Sequence, residues 1–131
     1  VAIPHCVIDS ENWKHCGGSA ITLLVCLARQ FNGFNNGDLC ASISVLRKVG
    51  WTSSDVLHHA LAELRHLGFI ELTRQGGLHS ASLYALAWLP IDDRYGKLEV
   101  NSTRIASHAY STPKPPYRRP PRGAKASPDS G

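Results

Sequence analysis

The chain's 131 residues include no methionine, no Cys-x-x-Cys pair and no apolar run of membrane-spanning length. Without an initiator methionine, some natural N-terminal sequence is expected to precede Val1. The apolar stretch at residues 23–28, like every other in the chain, falls well short of the roughly 18 residues a transmembrane helix needs. The opening Val-Ala-Ile-Pro-His-Cys lacks the basic and apolar regions of a signal peptide, so a soluble cytoplasmic protein with no membrane partner is expected. Also missing are G-x-S-x-G, a P-loop and H-E-x-x-H, while Asp92-Asp93 falls in a loop, and catalysis is not expected. His5-Cys6 and His15-Cys16 repeat one dipeptide. Paired zinc ligands usually stand about two to four residues apart on one turn, and adjacent side chains diverge, so neither metal nor cofactor is expected. Cys26 in an apolar stripe and Cys40 beside Leu39 read as small buried hydrophobes.

The formal net charge of +4 is unevenly held. From Thr112 onward, Lys114, Arg118, Arg119, Arg122 and Lys125 face the single acid Asp129, which leaves residues 1–111 neutral. Attraction to nucleic acid through bulk charge would therefore come from the tail, and the rest depends on where its charges sit.

Apolar periodicity separates helices from strands. Asp9 or Ser10 can cap a short helix through Trp13 that Gly17-Gly18 ends, and Ser19 can cap a longer one with Ile21, Leu24, Leu27, Ala28 and Phe31 on one face. Asn32-Gly33 and Asn35-Asn36-Gly37 then turn the chain into a short strand over 39–41. Ser42 can cap a brief helix with Ile43, Leu46 and Val49, closed by Gly50. Thr52-Ser53-Ser54-Asp55 has the form of a capping box that opens a third helix. Its stripe is Val56, Leu57, Ala60, Leu61, Leu64 and Leu67, and Gly68 ends it. The period then falls to two over 69–74 and again over 82–88, which predicts a hairpin turning at Gln75-Gly76-Gly77-Leu78-His79. Three segments are expected: a domain over 1–90, an extended segment packed on it over 91–111, and a disordered basic, Pro-rich tail over 112–131.

Two short helices joined by a tight turn, with a hairpin following, are the ingredients of a winged helix-turn-helix: mainly α with a small β-hairpin. In that architecture one helix braces the next, which lays its polar face in the major groove of duplex DNA. The apolar stripe leaves Ser53, Ser54, Asp55, His58, His59, Ala62, Arg65 and His66 of the third helix outward. Ser53, Ser54, His58, His59 and Arg65 are the candidate base and phosphate contacts, with Arg47 and Lys48 of the bracing helix as further phosphate contacts. Imidazolium on this face would add phosphate attraction, so affinity is expected to rise as pH falls. The hairpin tip supplies Arg74, Gln75, Gly76, Gly77, His79 and Ser80 for backbone or minor-groove contact. The tail cations Lys114, Arg118, Arg119, Arg122 and Lys125 can form a flexible basic arm, and Pro113-Lys114-Pro115-Pro116-Tyr117-Arg118 also matches a P-x-x-P-x-R peptide motif.

Asn35-Asn36-Gly37-Asp38-Leu39, Gly50-Trp51 into Leu61-Ala62-Glu63-Leu64, and Gly68-Phe69-Ile70 through Thr73-Arg74-Gln75-Gly76-Gly77 resemble a largely uncharacterised family of small bacterial and phage winged helix-turn-helix proteins. The likeness continues through Ser82-Leu83-Tyr84-Ala85, Trp88-Leu89-Pro90-Ile91-Asp92 and Gly96-Lys97-Leu98-Glu99-Val100. It implies a winged-helix fold and DNA binding in transcriptional regulation or replication of a phage or mobile element. Members often carry Arg, Lys or Asn where this chain has Ser54, Asp55, His58 and His59. The competing expectation is a winged helix used as a protein-interaction adaptor, since fold does not fix function. If DNA is the partner, a homodimer on a two-fold site is common for this architecture.

Overall fold

Ser10, Ser42 and Ser53 each accept a hydrogen bond from the backbone N–H three residues on, and each begins a helix. These caps belong to a computed structural model that describes residues 1–77 and 80–120. In chain order the helices are α1 (His5–Ile8), α2 (Glu11–Lys14), α3 (Gly18–Gln30), α4 (Ile43–Leu46) and α5 (Ser54–His66). A 3₁₀ turn over Arg47–Val49 extends α4 to Gly50. The strands are β1 (Leu39–Cys40), β2 (Ile70–Arg74) and β3 (Leu83–Leu86), and a second 3₁₀ turn covers Ala109–Ser111. The product is a mainly helical domain with a small antiparallel sheet in the order β1-β3-β2. No helix among the described residues is long and apolar enough to cross a membrane.

Two expected starts shift, the first for a reason outside the local sequence. Helix α3 begins at Gly18 with Gly17 as its cap, and Ser19 does not cap it. The carboxylate of Glu63, reaching across from α5, accepts from the Gly17 N–H and serves one of the orphan donors instead. Helix α5 is capped by Ser53, not Thr52, so Asp55 stands one position too early for a capping box and faces other partners.

The core forms where α3 lies against α5 and both cover the sheet. Leu23, Leu24 and Leu27 of α3 join Leu57, Ala60 and Leu64 of α5, with Leu39, Ile70 and Leu86 beneath. Leu39 pairs with Tyr84 on one side of β3, and Ile70 pairs with Leu86 on the other. Every residue of β3 is buried, unlike the alternation its sequence suggests. As the central strand it is flanked on both edges, and the segment after it returns along the domain through Glu99 N–H to Thr73 O and His108 N–H to Ala87 O. The pairing of β2 with β3 slips between Leu72 and Arg74, leaving Thr73 as the extra residue of a bulge. Its buried hydroxyl donates to the Gly37 carbonyl.

Two fully buried asparagines hold irregular backbone. Asn36 Oδ1 accepts from the Leu86 N–H at 2.7 Å, while its amide donates toward the carbonyls of Leu86, Leu89 and Pro90. Asn12 donates to the carbonyls of Leu67 and Thr112 and accepts from the Lys114 N–H. Through Asn12 the end of α5 is tied to the start of the Pro-rich tail. Gly68, at φ +82°, is where α5 turns into β2, and a Cβ there would stand 2.6 Å from the Ala109 carbonyl, so both conformation and space require glycine.

Candidate nucleic-acid interface

Helix α5 turns about 100° per residue, so its non-core surface divides into two neighbouring sectors. Ser54, His58, Ala62 and Arg65 share one; Asp55, His59, Glu63 and His66 share the other. The division separates charge. Both carboxylates of α5 lie in the second sector, and both are engaged.

Residues 112–120, expected to be disordered, run antiparallel to α5 along that second sector. His66 Nε2–H donates to the Pro115 carbonyl at 2.7 Å. The Tyr117 ring lies against His66 and His59, with centroids 6.1 and 6.5 Å apart. His59 lies between two partners, with Nε2 3.5 Å from an Asp55 carboxylate oxygen and Nδ1 3.3 Å from the Tyr117 hydroxyl. Burial raises the Tyr117 phenol above its ordinary value. Arg119 then closes the run by pairing with Asp55 at the first turn of α5. A cleft of about 300 Å³ remains between this strap and the start of α3.

The open sector is differently furnished. Ser54, His58 and Arg65 are exposed, and the His58 and His59 rings meet in a T-shaped contact with centroids 5.5 Å apart. Burial raises the phenol of Tyr84 above its ordinary value, and the Arg65 guanidinium partly opposes that rise. Ser53 is spent on capping. Arg47 and Lys48 are exposed on the 3₁₀ turn that leads toward α5.

At the hairpin, Arg74 turns back: its Nη2 donates to the Ala81 carbonyl at 3.0 Å, and its buried Nε–H has no partner among the described residues. Gln75 is exposed, but its backbone N–H is taken by Glu99, which brings a carboxylate to the tip. Gly76 is required by space, since a Cβ would stand 2.6 Å from Ser82 N and 2.7 Å from Ser80 O. Gly77 is exposed, pairs with the exposed Ser80 across the turn, and has open space beside it. His79, Arg122 and Lys125 lie outside the described residues. Lys114 and Arg118 are exposed on the strap.

The structure thus brings Ser54, His58 and Arg65 together, sets His59 and His66 beneath the strap, and turns Arg74 inward. Tyr117, Asn12, Glu63 and Glu99 were not among the sequence candidates. A lone tyrosine among prolines and arginines was the only signal for the first, and the other three have roles set by distant backbone. All four cysteines are unpaired, with Cys6 exposed and Cys16, Cys26 and Cys40 half-buried. No family model, curated protein or solved structure matches the chain.

Proposed function

We propose that the chain is a winged-helix protein that binds duplex DNA, with α4 bracing α5 and the β2–β3 hairpin as the wing. The observation that carries this is the separation of charge on α5. One sector, with Ser54, His58 and Arg65 exposed, holds neither of the two carboxylates of α5, and exposed Arg47 and Lys48 precede the same helix. Serine, histidine and arginine can donate to phosphates and to acceptors on base edges. The wing contributes less than its sequence suggests, because Arg74 is folded onto its own hairpin and Glu99 stands at the tip. Regulation or replication of a phage or mobile element is the setting that the family resemblance implies.

Fluorescence-anisotropy titration of the full chain with mixed-sequence duplexes over a range of salt tests this. Affinity should fall steeply with salt, and Arg65→Ala should cost about 1 kcal/mol or more. Arg47→Ala with Lys48→Ala should lower the logarithmic salt slope by about 0.9 for each phosphate contact removed. No binding at low salt would reject the proposal. A second reading, a protein-interaction adaptor, is favoured by one observation: α5 already seats an extended Pro-Tyr-Arg peptide, its own strap. Absence of duplex binding would leave that reading standing.

A further inference from the structure

The strap and a DNA major groove compete for the same helix. A major groove is about 12 Å wide, and an α-helix with its side chains is about 10–12 Å across, so a bare helix fills it. With the strap alongside, α5 is no longer bare. Pro115, Tyr117 and Arg119 contact His66, His59 and Asp55, positions that span the helix from its last residue to its first turn. The first turn matters most, because a recognition helix presents its N-terminal residues to the base edges.

We propose that residues 112–120 are an internal cover of α5 that must leave before the helix enters duplex DNA, an inference that rests on α5 being the DNA-reading helix. Three features suit the segment to this task. Its contacts near the first turn are an exposed ion pair and one aromatic side chain, which solvent and phosphate can displace. Its root is fixed, because the fully buried Asn12 holds Thr112 and Lys114, so a displaced strap stays close enough to return. Its charge is complementary to both states: Arg119 pairs with Asp55 when the cover is closed and is available to phosphate when it is open. Closure lowers apparent DNA affinity by the fraction of time α5 is bare, so a cover closed nine-tenths of the time weakens binding about 10-fold.

Tyr117→Ala tests this without altering net charge, which truncation of the tail would do. Two readouts are taken on the full chain: anisotropy titration with a mixed-sequence duplex, and diethylpyrocarbonate modification of His58, His59 and His66 mapped by mass spectrometry. The expected result is faster modification of His59 and His66 with His58 unchanged, together with duplex binding several-fold tighter than wild type. A synthetic peptide of residues 112–120 added to the variant should reverse both effects. Equal or weaker duplex binding despite faster modification would overturn the competition, and unchanged modification would overturn the cover itself. If neither chain binds duplex, DNA recognition by α5 falls, and the cover's role as a gate falls with it.

Discussion

Asn36 shows how one side chain can stand in for a piece of secondary structure. It serves the Leu86 N–H and reaches three carbonyls at the point where β3 ends and the chain turns through Pro90. Asn36→Ala leaves these buried groups without partners, at about 1–3 kcal/mol for each one unsatisfied. A loss of at least about 3 kcal/mol in urea unfolding is expected. Cys16 is a second residue whose surroundings define it. Burial first, and then the neighbouring Glu63 carboxylate, push its thiol from 9.0 up to about 12. In the unfolded chain the proton leaves near the ordinary value, so this contribution to stability is full below about pH 9 and is lost as pH rises toward 12. Iodoacetamide at mildly alkaline pH should label exposed Cys6 well before Cys16, and Glu63→Gln should narrow the gap. Equal labelling rates in wild type would contradict the burial of Cys16.

At the scale of elements, most of the architecture was legible because its causes are local. The caps Ser10 and Ser42, the apolar stripes of α3 and α5 and the change of period at Phe69 all lie within a few residues of what they determine. What was illegible depends on elements meeting. Ser19 has the chemistry of a cap, yet the Gly17 N–H is served by Glu63, 46 positions away in the chain. Arg74 and the two glycines suit a wing tip, but the return of the chain past Thr73 brings Glu99 there, and the bulge turns Arg74 inward. The candidate site was half legible: the periodicity of α5 gave its outward face, while the strap that divides that face is a long-range contact with no local signature. The hairpin offers a contrast pair. Gly76→Ala forces a Cβ into backbone and should cost about 1–3 kcal/mol in thermal or urea unfolding, whereas Gly77→Ala meets open space and should stay within about 0.5 kcal/mol. Similar losses for both would mean that the turn differs from the one described.

On the scale of the whole molecule, one cation of the basic tail, Arg119, and the helix proposed to meet DNA stand far apart in the chain and meet in space. Asp55 would repel phosphate at the very turn expected to approach the bases, and Arg119 neutralises it while the strap is closed. Asp55→Asn therefore removes both the repulsion and the strap's last anchor, and duplex affinity measured by anisotropy should rise. A fall in affinity would show that the carboxylate is needed for more than holding the strap.

The rings of Trp13, Phe69 and Tyr110 carry a last consequence. Trp13 meets Phe69 edge-on at 5.9 Å, and Phe69 stacks on Tyr110 at 6.0 Å with the planes 7° apart. Three chromophores drawn from the early helices, the turn into β2 and the segment just before the strap are thereby fixed in one asymmetric array. The protein should show a strong near-ultraviolet circular dichroism signal that reports docking of both ends at once. Because Tyr117 lies outside this array, Tyr117→Ala should leave most of that spectrum intact, giving an optical way to tell an opened strap from an unravelled chain.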